Sequence, residues 1–344
     1  MAEIRLENLT KRFGPLVAVD DLDLTMPDGS FVALLGPSGC GKTTTMNMIS
    51  GLERPTSGEI YFDDQPISRV DPGRRNVGFV FQNYAIFTHM RVYDNLAFGL
   101  RVRKPKPSSE ELDREVRRVA EIVGLTAALD RNAGRLSVND MQKVALGRSM
   151  IVNPAIFLLD EPFSNLDAAF RAYMRAELKR IQDEVGQTMV YVTHDQVEAM
   201  SMADHIAVMN LGVLQQYGTP AEIYDSPSNR FVAGFVGSTQ MNFLPPSVAD
   251  VKPPVNGDAR VSVGVRPENL RIVAADSADA TLRAKVTLVE PLGAKDVVHL
   301  SLDGHEVRVI GTPGQRPRIG DNVGVVADTE RVHFFDDETG QAVR

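Results

Sequence analysis

Apolar and polar residues alternate along Ile4–Leu9, the period-two pattern of a half-buried strand. The run Ser30–Leu35 predicts a second strand, which leads straight into Gly36-Pro-Ser-Gly-Cys-Gly-Lys-Thr43. Thr43–Ser50 then predicts a helix that stops at Gly51, and Val77–Phe81 is another short apolar run. From Val92 to Met150 the period changes. Residues 110–125, with apolar Leu112, Val116, Val119, Ile122 and Val123 behind an acidic first turn, predict an amphipathic helix, and residues 141–152 predict another. Lys104–Ser109 reads as a polar, proline-containing loop. The apolar runs Ala155–Leu159 and Thr188–Thr193 predict buried strands, and the charged stretch Arg171–Val185 between them predicts a helix. Strand, helix, strand in that order implies a mostly parallel sheet, hence an α/β fold.

After Gly237 the pattern shifts again. Pro245–Arg260 is rich in Pro, Gly and Asp and reads as a linker. Short β-branched runs follow at Val261–Val265, Ala284–Val289, Val297–Leu302, Val307–Ile310, Val323–Val326 and Val332–Phe335. Their spacing predicts a small β-barrel. The expected division is therefore 1–236, with a helical subdomain at about 88–153, and 237–344.

Composition narrows the function. Hydrophobic residues make up 43% and charged residues 24%, as in ordinary globular chains. The net charge of −8 and the lack of a basic run give no general attraction to nucleic acid, so no nucleic-acid partner is expected. The single cysteine, Cys40, rules out an intrachain disulfide and fits a reducing compartment. The opening MAEIRLENLTKRFG carries charges where a signal peptide needs an apolar core. No stretch reaches the roughly 18–20 apolar residues of a membrane span. If the protein works at a membrane, another chain must supply the span.

The chemistry begins at Gly36–Thr43, which satisfies G-x-x-x-x-G-K-[ST] between a strand and a helix. Glycines let backbone N–H groups wrap phosphate, and the helix N-terminus points positive charge at it. Lys42 supplies a cation for the β- and γ-phosphates, and the Thr43 hydroxyl suits Mg²⁺. The apolar strand Ile156–Leu159 ends in Asp160 and Glu161. Asp160 fits a metal-holding role and Glu161 that of general base to the attacking water. His194 ends the second apolar strand, on the same edge if the strands are parallel. The other histidines, at positions 89, 205, 299, 305 and 333, lack metal-ligand spacing. Cys40, close to a helix N-terminus, is expected to favour its thiolate.

Together these residues resemble the ABC-type ATPase over nearly the whole chain. The resemblance includes Gln82 in VFQNYA, the loop Ser164-Asn-Leu-Asp167, Thr193-His194-Asp195, and Phe13 as the aromatic that stacks on adenine. Thr193–Asn242 and the later VGVRPENL, VEPLGAKDVV and HFFDDETG are similar to the ATPases of carbohydrate and glycerol-phosphate importers, the maltose-importer-like group. The resemblance implies a P-loop NTPase core with a helical subdomain and a C-terminal OB-like barrel that joins two ATPases and can receive regulatory signals. It implies ATP and Mg²⁺ as ligands. Nucleotide contacts would come from Phe13, Gly36, Pro37, Ser38, Gly39, Cys40, Gly41, Lys42, Thr43, Thr44, Ser137 and Asp167. Metal contacts would come from Thr43, Gln82 and Asp160, and catalysis from Glu161, His194 and Gln82. It also implies a second ATPase subunit, two transmembrane permease subunits, a solute-binding protein met indirectly, and a peripheral place on the cytoplasmic face of the membrane. The helical insert would dock on the permeases near Tyr84–His89 and Phe98.

One motif departs from the family. Where the family has L-S-G-G-Q, this chain has Leu136-Ser-Val-Asn-Asp140. In the family this segment closes over ATP held by the other subunit, so the Cβ of Val138 should obstruct the approach and Asp140 should repel phosphate. A lost donor there costs about 2.7–4 kcal/mol in the transition state. At about 8 Å and an effective dielectric of about 20, the added charge costs about 2 kcal/mol. Two readings stay open. Ser137 and the helix N-terminus suffice and the chain works as a homodimer, or the chain is half of an asymmetric heterodimer. A nucleotide-binding regulatory module and a soluble non-transport ABC protein are the competing functions.

Overall fold

The computed structural model describes residues 2–164, 166–249, 251, 261–314 and 316–343. Asn165 of the loop Ser164–Asp167, and positions 250 and 252–260 of the linker expected over Pro245–Arg260, lie outside the described residues. The chain forms two compact units, Met1–Pro220 and Ala221–Arg344.

The first unit contains β1 (Ile4–Phe13), β2 (Leu16–Met26), β3 (Phe31–Leu35), α1 (Lys42–Ser50), β4 (Ser57–Phe62), β5 (Gln65–Pro66) and β6 (Val77–Val80). There follow α2 (Val92–Val102), α3 (Ser109–Ile122), α4 (Val138–Met150), β7 (Ile156–Asp160), α5 (Ala168–Val185), β8 (Thr188–Thr193), α6 (Gln196–Met202), β9 (His205–Asn210) and β10 (Val213–Gly218). One sheet has the order β10-β9-β3-β8-β7-β6, parallel from β9 to β6. The β10 edge pairs antiparallel with β9. Strands β3 and β8 are buried at every position, as expected for parallel strands covered on both faces. A second, antiparallel sheet, β2-β1-β4-β5, shares a core with the first through Ile4, Leu22, Val32, Met46 and Leu158.

The register of the parallel sheet decides where the chemistry falls. Leu35 pairs with Thr193, Asp160 with Val192, and Val80 with Leu159. The carboxyl ends of β3, β8, β7 and β6 therefore meet at one edge, where ligands bind in open α/β sheets.

Helix starts have local causes. A Ser108–Glu111 capping box opens α3, and Gly124 at φ +65° follows its last turn. Helix α4 begins at Val138, earlier than the 141 expected, because Ser137 caps it by accepting the Asp140 N–H at 3.1 Å. Asp167 caps α5 by accepting from the Phe170 N–H at 3.0 Å.

In the second unit two antiparallel sheets wrap one apolar core. Short helices α7 (Pro220–Asp225), α8 (Arg230–Phe235) and α9 (Pro246–Ala249) accompany them. The strands are β11 (Asn242–Leu244), β12 (Val261–Val265), β13 (Leu270–Ala274), β14 (Leu282–Pro291), β15 (Asp296–Leu302), β16 (His305–Gly311), β17 (Asn322–Ala327), β18 (Val332–Asp336) and β19 (Ala342–Val343). The sheet orders are β11-β12-β18-β19 and β13-β17-β14-β15-β16. Leu244, Val263, Leu270, Val286, Leu300, Val309 and Val325 of the shared core come from both. No helix among the described residues is long and apolar enough to cross a membrane.

Candidate active site

The loop between β3 and α1 is built on close approach. A Cβ at position 36 would lie 2.2 Å from the Met209 carbonyl oxygen, so only Gly36 lets the loop leave β3 there. Gly41 sits at φ +103°, and a Cβ on it would meet the Ala18 oxygen at 2.4 Å. The turn after β9 braces the loop from outside, the Gly212 N–H donating to the Cys40 carbonyl at 3.1 Å. Lys42 is buried, and its ammonium donates to the Gly36 and Pro37 carbonyls at 2.8 and 2.9 Å. These bonds curl the loop around its lysine, and a phosphate would have to draw the ammonium away from two carbonyls.

Beside this loop lies the end of β7. Thr43 Oγ1 donates to Asp160 Oδ1 at 3.1 Å, so the two oxygens expected to face a metal are adjacent. Burial raises the Asp160 carboxyl above the usual range. The Glu161 charge adds to this, while the Thr43 hydroxyl and Lys42 oppose it. Hard oxygen donors of this kind suit Mg²⁺. Gln82, just past β6, donates from Nε2 to Ser164 Oγ at 3.4 Å.

Glu161 adopts φ +43°, a left-handed conformation costly for a residue with a side chain, at about 1–3 kcal/mol. Its N–H donates to the Val192 carbonyl at 3.1 Å, and its own carbonyl accepts the Ser164 N–H at 3.2 Å. Its Oε1 lies 3.1 Å from His194 Nδ1. An ionised carboxylate only accepts, so Nδ1 carries the proton and Nε2 is left for another partner. Glu161 and His194 thus form a hydrogen-bonded pair across the ends of β7 and β8.

The structure brings Gly36–Thr44, Asp160, Glu161 and His194 to one edge. Ser137 and Asp167 stand at helix N-termini, both engaged as caps. Phe13 projects as an exposed ring with the Lys11 ammonium 4.7 Å above its centroid. Cys40 corrects an expectation. Its side chain is 2% exposed, and burial pushes the thiol up against the opposing Lys42 charge, so the thiolate is disfavoured. Proximity to a helix N-terminus does not compensate for lost solvation.

Tyr84 and Phe98, both expected in the docking region of the helical insert, line a groove beside β6 together with Phe79, Phe81, Arg148 and Val152. Asn95, fully buried, holds its rim by pairing with both backbone groups of Phe87 at 2.9 Å. The Arg148 guanidinium lies 4.4 Å from the Phe87 ring centre and donates to the Ala85 carbonyl. Nothing in the sequence around Asn95 showed this role, because only the packing of α2 reveals that its side chain is buried.

Comparison with known proteins places these features. The ABC transporter family matches residues 19–164, and the TOBE domain matches residues 263–335. The chain is 45% identical to the trehalose/maltose import ATP-binding protein MalK of Thermococcus litoralis over all of both chains. It is 41% identical to the sn-glycerol-3-phosphate import ATP-binding protein UgpC of Ruegeria pomeroyi, covering 100% of this chain and 99% of that one. It is 44% identical to the xylose/arabinose import ATP-binding protein XacJ of Haloferax volcanii, covering 100% and 96%. Among solved structures it is similar to an ATP-binding cassette in a dimeric post-hydrolysis state with ADP and Pi. That match has 29% identity and TM-score 0.57, and covers 63% of this chain and 98% of that one.

Proposed function

The chain belongs to the ABC transporter family as an ATPase of the import type, and from that premise we propose that it powers uptake of a sugar, polyol or glycerol-phosphate-like solute. The permeases that form the channel are other chains, and this subunit sits on them peripherally at the cytoplasmic face. A binding protein delivers the solute.

In this reading Gly36–Thr44 wrap the phosphates with backbone N–H groups, Lys42 leaves its carbonyls for the β- and γ-phosphates, and Phe13 stacks on adenine. Thr43 and Asp160, with Gln82, would hold Mg²⁺, which neutralises charge on the phosphates. Glu161 takes a proton from the water that attacks the γ-phosphorus. The bond from that phosphorus to the β–γ bridging oxygen breaks, and ADP leaves with the electron pair. His194, held by its Nδ1–H bond to Glu161, turns the Nε2 lone pair toward the attacking water, which donates to it and is oriented by it. The observation that carries this reading is the register that pairs Leu35 with Thr193 and Asp160 with Val192 at one sheet edge.

The groove beside β6 is the docking place for a permease segment, supported by its aromatic lining and the Asn95-held rim. Residues 1–236 carry the ATP chemistry, and 237–344 join the two ATPases and receive regulation. We favour an asymmetric heterodimer, because Val138 and Asp140 stand where the family has glycine and glutamine. The homodimer is the second reading, supported by Ser137, which is exposed at the N-terminus of α4.

The direct test is co-purification of the full chain, expressed with its neighbouring genes. Recovery with two hydrophobic permease chains, and solute-stimulated ATP hydrolysis by the complex, is expected. A chain that hydrolyses ATP but never associates with membrane chains would overturn the importer reading and leave the ATPase intact.

A further inference from the structure

Behind His194 lies a charged cluster that the ATPase chemistry does not use. Arg171, on the first turn of α5, sends Nη2 to the Leu166 carbonyl at 3.2 Å and Nη1 to Asp195 Oδ2 at 3.1 Å. Its buried Nε faces Glu198 Oε1 at 3.8 Å. Glu198 is itself buried, at 4% exposure, and its other oxygen accepts from the Tyr191 hydroxyl at 2.8 Å and the Thr193 hydroxyl at 2.6 Å. Asp195 Oδ1 caps α6 through the Val197 N–H at 2.8 Å, and the Asp195 N–H donates to Thr193 Oγ1 at 2.9 Å.

Both chain neighbours of His194 are therefore tied down, and their ties converge on one guanidinium. Burying the Glu198 carboxylate costs several kcal/mol unless a cation and hydrogen bonds compensate, in order-of-magnitude terms. That expense makes sense if the geometry of the 193–195 segment matters. The planar fork of arginine holds the Leu166 carbonyl and Asp195 through two separate nitrogens in a fixed relative geometry, which one ammonium nitrogen on a flexible stem does not reproduce.

We propose that Arg171 is a positioning residue for His194, fixing that histidine relative to Leu166, just before α5. This rests on the reading of His194 as the group that orients the attacking water. Arg171 acts through Asp195 and Glu198, which set the backbone from which the imidazole reaches Glu161. The same guanidinium holds the Leu166 carbonyl, so it ties the residue before Asp167 to the 193–195 segment.

The test is steady-state ATP hydrolysis by the assembled transporter carrying the full-length chain as wild type, R171K, H194A or the double variant, with nucleotide affinity measured separately. Lysine keeps a cation beside Glu198 but loses the fork. R171K is expected to lower kcat about tenfold to a hundredfold, the size of a small misplacement, with ATP affinity unchanged within about twofold. On the H194A background R171K should cause no further loss, because residues acting through one group are not additive. D195N, which keeps an α6 cap but removes the charge held by Arg171, should show the same kcat loss and the same dependence on His194, and it carries the test if R171K does not fold. Losses that multiply in the double variant, or wild-type kcat in both R171K and D195N, would overturn the positioning role alone. Wild-type kcat in H194A would overturn the reading of His194 and this inference with it.

Discussion

Glu161 stores backbone strain at the position proposed for the general base, and removing its charge should separate binding from turnover. Glu161→Gln keeps the shape, the φ +43° backbone and the phosphate loop, so ATP binding should persist while hydrolysis falls to background. Near wild-type turnover in that variant would remove Glu161 as the base. Cys40 gives a second residue-scale expectation. Burial raises its thiol, so at neutral pH it holds less thiolate than a free cysteine, and its alkylation profile is displaced to higher pH. Maleimide labelling at pH 7 should be slow with and without Mg-ATP; fast labelling that nucleotide abolishes would show an open, activated thiol. At this scale the phosphate loop, Asp160, Glu161 and His194 were legible because each ends an apolar run. Arg171 and Glu198 were not. Each looks like an ordinary helix charge, and only tertiary packing reveals that Glu198 is buried against Tyr191 and Thr193.

Among elements, continuous apolar runs were the readable ones. Strands β3, β7 and β8 lie between covering layers, and their sequences say so without context. Strand β2 was hidden because Asp20, Asp21 and Asp23 face outward and its pairing with β1 shifts register between Leu6 and Arg12, which breaks the period-two pattern. The start of α4 was misplaced for a different reason: Ser137 supplies the cap before any helical period is visible. Helix α2 holds the rim of the groove beside β6 through Asn95, whose carboxamide pairs with Phe87 and also donates to the Arg91 carbonyl at 3.1 Å. Asn95→Ala leaves the Phe87 N–H without its partner, while the Phe87 and Arg91 carbonyls keep the Met90 and position-95 N–H groups, and it should cost about 1 kcal/mol of stability, read from urea unfolding. Basal ATP hydrolysis should survive where the protein is folded, while stimulation by the permeases falls. Equal stimulation of variant and wild type would detach the groove from docking.

The symmetry of the working assembly turns on the short segment Leu136–Asp140. In an ABC dimer each such segment closes the partner's nucleotide site, so a homodimer of this chain would present Val138 and Asp140 to both. Val138 is 47% exposed at the start of α4, where its side chain meets whatever approaches that helix end. Ser137 already accepts the Asp140 N–H, but its hydroxyl hydrogen can still be donated. The lost close approach should slow each site by about a hundredfold or more. The chain alone should then hydrolyse ATP poorly. Replacing Val138 and Asn139 by glycine and Asp140 by glutamine should raise that rate, even though glycine weakens the first turn of α4 by about 1 kcal/mol per position. In the assembled transporter the same change should matter less, since a partner with an intact segment already completes the site built on Lys42, Asp160 and Glu161. The measurement is steady-state ATP hydrolysis of the isolated chain, wild type against the triple variant, at a concentration that supports dimers. Vigorous wild-type hydrolysis indifferent to the change would defeat the asymmetric reading and leave Ser137 with the N-terminus of α4 as sufficient closure for a homodimer.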